Sequence, residues 1–274
     1  MKKVTKREEL KPGYWEEYKK NNPEKWEKGV NTLFEISSKL LEYFKKRRGD
    51  IRLIVPPRGG YPLYFSFLTK LANAVERGEI DEEDVKRMKV AMLVCSGPPD
   101  KYRPHLQKQI KSLVDGGFFN KEEVVMVDTF TTGGSLQAST REITRALKEN
   151  DKGVNWNIFS VRNDVEKAIE TRDLEEKIKN DLNRMVKTDV KIYHVNGPAI
   201  WEDIPGAAGI EIAIPENKEI KPFLAIYGAK LPDWAVSIKG KHGKILPDVE
   251  KIVFGRREFL KLLKNDLIKK LVIF

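Results

Sequence analysis

Cysteine is nearly missing from this chain, and that narrows its class first. One cysteine, Cys95, stands among 274 residues, so no internal disulfide can form and a disulfide-stapled secreted scaffold is excluded. It lies in the apolar run "VAMLVCS", where a buried structural thiol is expected rather than a nucleophile. Histidine is scarce as well. His105, His194 and His242 are scattered singly without metal-ligand spacing, and each reads as structural or exposed. No apolar run approaches the roughly 18 residues that a membrane-spanning helix needs. The opening "MKKVTKREELKPGYWEEY" carries basic residues with no apolar stretch behind them, so the expected setting is cytoplasmic, with no membrane partner. Zinc-knuckle spacing, Arg/Gly repeats and an aromatic RNA-binding stretch are absent too. The formal charge of +10 has two readings: it can attract nucleic acid or a membrane surface, or it can focus small phosphorylated anions into a cleft. Without those motifs nucleic acid is the less favoured partner.

What is present is an alternation of short apolar runs and helical patterns. Residues 23–48 set Trp26, Val30, Leu33, Phe34, Leu40, Leu41 and Phe44 at spacings that predict one helical face. Strands are expected at 51–55 ("IRLIV"), 89–96, 124–127, 155–161 and 190–195, and helices at 63–78, 81–88, 135–150 and 164–186. Such alternation predicts an α/β fold with a central, mostly parallel sheet flanked by helices, Rossmann-like in class. The expected organisation is an N-terminal helical segment at 1–50, an α/β core at 51–195 and a C-terminal extension at 196–274 closed by a basic helix at 257–272. Residues 97–123 read as a long polar connection, helical in part from His105 to Val114, and long connections in compact domains are usually functional.

Two glycine turns fall at predicted strand ends, where ligands sit in open parallel sheets. The first is "PPRGGYP" (56–62). The second is "VDTFTTGGSLQ" (127–137). A glycine pair between strand and helix lets consecutive backbone N–H groups converge on an anion, and the helix N-terminus adds its dipole. Thr131, Thr132 and Ser135 add hydroxyl donors beside Gly133 and Gly134, and Asp128 is placed for sugar hydroxyls or a magnesium-bound water. A plain turn capped by Ser135 is the alternative. The spacing matches neither G-x-x-x-x-G-K-[ST] nor G-x-G-x-x-G.

The second turn resembles the phosphoribosyl-pyrophosphate motif of the type I phosphoribosyltransferases: an apolar strand, two acidic residues, two apolar residues and a Thr-Gly-rich phosphate loop. Aligned on "TTGGS", Asp128 takes the second acidic position and Val127 the first. A one-residue deletion would instead give Asp128 the first position and Thr129 the second. Either way one carboxylate remains. The first turn, Arg58-Gly59-Gly60, resembles the family's pyrophosphate loop, and the two turns stand in family order about 70 residues apart.

The resemblance covers about 51–162 and implies transfer of ribose 5-phosphate from phosphoribosyl pyrophosphate to a nucleobase, a purine by preference, with release of pyrophosphate. Arg58 and Mg2+ would stabilise the leaving diphosphate, residues 131–135 would anchor the 5′-phosphate, and Asp128 would hold the ribose and the metal through water. Segment 97–123 would be the flexible loop that closes over the site, with Lys101, Tyr102 and Arg103 as anion contacts. Arg162 would stand near the base, residues 196–274 would form the hood over it, and a homodimer is expected. The rival reading is a regulator that keeps the phosphate loops, lacks the chemistry and holds nucleic acid on its basic surface.

Overall fold

The computed structural model describes residues 13–56, 59–93, 99–120, 123–163, 170–202, 223–225 and 247–273. Two N-terminal helices, α1 (Tyr14–Asn21) and α2 (Pro23–Lys46), lead into β1 (Ile51–Val55) and α3 (Tyr61–Glu76). A single turn, α4 (Glu82–Val85), precedes β2 (Met88–Met92), α5 (Pro99–Asp115) and β3 (Glu123–Phe130). Then follow α6 (Gly134–Lys148), β4 (Asn155–Asn163), α7 (Thr171–Asn183), β5 (Val190–Gly197), a 3-10 turn at Ile200–Glu202, β6 (Phe223–Ala225) and α8 (Pro247–Ile273).

The sheet order is β5-β4-β3-β1-β2-β6. Strands β1 to β5 are all parallel, and β6 adds antiparallel to β2. This is the expected α/β architecture: five parallel strands flanked by helices, with both faces covered. The strand order reverses between β1 and β3. In sheets of this kind that reversal opens a crevice beyond the carboxyl ends of the two strands, so the topology alone marks one place for a ligand.

Side-chain alternation explains the two cores. In β3, Val125 and Val127 face one layer, with Trp26, Leu33, Phe67 and Leu71 of α2 and α3. Val124 and Met126 face the other, with Leu106, Ile110, Ile143 and Ile178 of α5, α6 and α7. Helix α2 is thus part of the first layer over the sheet. The same layer takes in both ends of the described chain. Phe259 of α8 lies 4.8 Å from Trp15 and 5.6 Å from Trp26 between ring centroids. Asp266 accepts from Lys19 Nζ at 2.6 Å and from Trp26 Nε1 at 2.8 Å. Packed aromatics add about 0.5–1.5 kcal/mol per pair beyond area burial, so this cluster ties α8 down well.

Several expectations are corrected here. The segment 97–123 is not mainly a loop. Helix α5 runs from Pro99 to Asp115 and buries Leu106, Ile110 and Leu113 completely or nearly so, because those residues recur at 3.6-residue spacing and have an apolar sheet face to cover. Strand β3 runs three residues further than its apolar run, through Asp128 to Phe130, since pairing with Ser160, Val161 and Arg162 of β4 continues that far. Helix α8 starts ten residues before the expected 257. Helix α1, unmarked by a long periodic run, is fixed by Trp15, which is fully buried. Cys95, His242 and most of 196–246 lie outside the described residues. Among the described residues no helix is long and apolar enough to cross a membrane.

Candidate functional site

At the carboxyl ends of β1 and β3 the first glycine turn lies directly against the tip of β3. A Cβ on Gly59 would sit 2.2 Å from Asp128 Oδ1 and 2.7 Å from Thr129 Oγ1, and one on Gly60 would sit 2.2 Å from the Val127 carbonyl oxygen. Real Cβ atoms do not approach so closely, so both positions need glycine for space. The first turn is thereby pressed onto the tip of β3. Arg58 itself lies outside the described residues.

Asp128 is buried, with 6% of its surface exposed. Its Oδ1 accepts from the Thr129 N–H at 2.8 Å, and its carbonyl accepts from the Ser160 hydroxyl at 2.7 Å. Ser160 is fully buried, and it fixes the strand tip from β4. Sequence reasoning passed over it. The signal was a lone hydroxyl in the apolar run "NWNIFSV".

The phosphate turn proper is short: Thr131 to Gly133, with α6 starting at Gly134. Gly133 has φ +76, a backbone that costs other residues roughly 1–2 kcal/mol. A Cβ there would also meet Leu174 Cδ1 at 2.2 Å. Leu174 of α7 is therefore a second residue that the sequence did not flag. The first intrahelical bond runs from the Gln137 N–H to the Gly133 carbonyl at 2.9 Å, so the N–H groups of Gly134, Ser135 and Leu136 have no intrahelical acceptor. The N-cap position of α6 is Gly133, and Ser135 lies inside the first turn of the helix. Thr132, Gly134 and Ser135 are exposed and Thr131 is half-buried. An anion can reach these donors.

Val127 is fully buried in the α2/α3 layer. The side chains that reach the strand tip are Asp128 and Thr129, both close to Gly59.

Arg162 ends β4 in register with Phe130. It is 15% exposed, with Nη1 at 3.6 Å from Glu170 Oε2, and its Nε is buried with no hydrogen-bond partner among the described residues. Burial first, then the charges of Lys39 and Arg162, push His194 below its ordinary value. Arg162 and His194 thus stand on adjacent strands, with the guanidinium beside the Glu170 carboxylate.

Arg103 is held elsewhere. Its Nε and Nη2 donate to Glu142 at 2.6 and 3.2 Å, clamping α5 onto α6. Burial pushes the Glu142 carboxyl up, but Arg103, Arg145 and Arg141 together outweigh it and hold it below the usual carboxylate range. The side chains of Lys101 and Tyr102 lie outside the described residues. Among the described residues no three His, Cys, Asp or Glu gather where they could hold a metal ion.

The site therefore gathers backbone donors and hydroxyls at the N-terminus of α6, a buried carboxylate at the tip of β3 and a guanidinium on the adjacent strand. No family model matches this chain, and neither a curated protein nor a solved structure matches it.

Proposed function

We propose that this protein is a nucleobase phosphoribosyltransferase of the type I class, using phosphoribosyl pyrophosphate and releasing pyrophosphate. The observation that carries the reading is the close approach of Gly59 and Gly60 to Asp128, Thr129 and the Val127 carbonyl, too close to β3 to bear side chains. A phosphoribosyl ligand has a phosphate at one end, a diol in the middle and a diphosphate beside the anomeric carbon. The turn at 131–135, Asp128 and Thr129, and the Arg58-Gly59-Gly60 turn offer complementary chemistry in that order.

Catalysis needs no protein nucleophile. The base displaces diphosphate from carbon 1 through an oxocarbenium-like transition state, and the protein contributes positioning and charge stabilisation. Asp128 and Thr129 orient the ribose, the N-terminus of α6 fixes the 5′-phosphate, and Arg58 takes charge developing on the leaving oxygens. The donor set fits Mg2+ that arrives with the diphosphate, since this ion commonly keeps waters and takes one or two carboxylates plus substrate phosphates; Asp128 would hold it through water, and bound there it would neutralise the leaving group. Arg162 stands on the strand next to the site and is assigned to the base. Arg103 is assigned no catalytic contact, because Glu142 occupies it.

A second reading rests on Val127. With that side chain in the apolar layer the site has one carboxylate, which suits a protein that binds phosphoribosyl ligands without turning them over. The assay that separates the two is pyrophosphate release from phosphoribosyl pyrophosphate and magnesium across a panel of free bases. Release with at least one base supports the transferase. Tight binding with no release for any base supports the regulator and rejects the enzyme.

A further inference from the structure

Helix α8 carries a face that packs on nothing else in the described molecule. Phe259, Leu263 and Leu267 are fully buried and, at four-residue spacing, turn one side of the helix into the core. On the far side stand Lys261, Lys264, Asn265, Ile268 and Lys269, all exposed. Lys269 shows 74% of its side chain. Ile268, at 42%, is the one exposed large apolar residue among the described residues. Three cations and the bare apolar side chain thus share one face of one helix.

That face holds no acid of its own. Asp266 is only 15% exposed and turns inward, where Lys19 Nζ and Trp26 Nε1 donate to its Oδ2. Lys269 stands 3.7 Å from its other oxygen. Glu258, one turn before the row, accepts from the Glu16 N–H at 3.4 Å. Lys261 and Lys264 have no acidic partner among the described residues.

We infer that this face docks on an anionic lipid surface, with the helix axis lying along it. Lysine is a compact charge on a flexible stem and suits a diffuse layer of anionic headgroups. The guanidinium forks that read defined phosphates and carboxylates are missing from these five residues. Protein interfaces are depleted in Lys and anchored by aromatics and Arg, so the residue types fit a protein partner poorly. A nucleic-acid backbone would leave Ile268 without a use, whereas at a lipid surface it enters the boundary between headgroups and acyl chains. The formal charge of +10 draws the whole molecule toward such a surface. A peripheral contact needs neither a spanning helix nor an apolar leader, so it is compatible with a sequence that offers neither. The inference stands apart from the transferase reading.

The test is sedimentation of the full chain with large vesicles of phosphatidylcholine, alone or mixed with phosphatidylserine. The wild type should bind the mixed vesicles, ignore the neutral ones and come off as salt is raised. A triple variant, Lys261→Gln, Lys264→Gln and Lys269→Gln, should lose about fivefold in affinity for each lysine removed. Ile268→Ser should weaken the same binding and leave its salt dependence in place. Lys111→Gln, Lys148→Gln and Lys177→Gln together remove equal charge from exposed positions on α5, α6 and α7, in the opposite layer, and this control should bind like the wild type. Every substitution is at an exposed position, and cooperative unfolding checks that each variant is folded. No binding to the mixed vesicles, or equal loss in the two triple variants, overturns the inference. So does lysine-dependent capture of a duplex oligonucleotide or of polyglutamate by a protein that ignores vesicles.

Discussion

The two ends of β1 and β3 are built from different polar groups. At the carboxyl ends the donors are backbone N–H groups, the glycines are there because nothing larger fits, and the one nearby carboxylate is held by a neighbouring N–H and by Ser160 through its carbonyl. At the amino ends the donors are guanidinium groups, Arg47 balanced by Glu123 and Arg52 by Asp50. A backbone turn depends on conformation and breaks when a methyl is added. A guanidinium cluster depends on charge and breaks when a charge is removed.

Five substitutions, one of them remote from both ends, sharpen this contrast. The largest effect is expected for Val127→Asp, which puts a carboxylate into the fully buried α2/α3 layer. An uncompensated buried charge costs about 3–5 kcal/mol. Burial raises such a carboxyl's pKa, so the loss should be greatest at neutral pH and shrink below the unfolded carboxylate pKa, as read in urea unfolding at several pH values. A stable variant at neutral pH would mean that the strand tip faces water.

Next is Gly133→Ala. It meets both a left-handed backbone, φ +76, and Leu174 at 2.2 Å, for a loss of roughly 2–4 kcal/mol. Gly134→Ala, with open space, should cost little. Equal effects at the two positions would contradict the steric account.

Arg58→Ala should weaken diphosphate-bearing ligands about tenfold, the worth of one charge-assisted hydrogen bond, and monophosphates much less. Equal weakening of both would move Arg58 to a general electrostatic role.

The smallest effect concerns Lys70, which belongs to neither end and supplies a background for pH effects at both. Burial between α2 and α3 pushes its ammonium down to about 8, while a hydrogen bond to Ser38 at 2.6 Å and the face of Phe34 oppose that. Its folded value lies below its unfolded one, so the unfolded chain holds the proton longer. Stability should therefore rise with pH above about 8, by at most about 1.4 kcal/mol over one unit. Lys70→Met should flatten that rise, and a slope unchanged by the substitution would assign it to other groups.

The same contrast explains how much of the molecule could be read in advance. The five parallel strands were legible because buried parallel strands are continuous apolar runs, as "IRLIV" and "VVMV" show. The two glycine turns at the carboxyl ends were legible because a backbone that must pack this closely needs glycine, and glycine pairs show in the sequence. The arginine cluster at the amino ends was not, because Arg47, Arg52 and Glu123 are ordinary residues in sequence and come together only when β1 pairs with β3. Residues 97–123 were misjudged for a related reason: three prolines and many charges hid the spacing of Leu106, Ile110 and Leu113 that packs α5 on the sheet. The steric role of Leu174, 41 positions from Gly133, has no local sequence signal.

The central claim is that the two glycine turns and Asp128 form one site, and Gly59→Ala tests it most directly. Gly59 is not among the glycines of positive φ, so the change adds only a methyl, aimed at Asp128 Oδ1. Calorimetric titration with phosphoribosyl pyrophosphate and magnesium should show one tight site in the wild type, weakened about tenfold or more in a Gly59→Ala protein that still unfolds cooperatively. Wild-type affinity in that variant, or no binding by the wild type, would contradict the account.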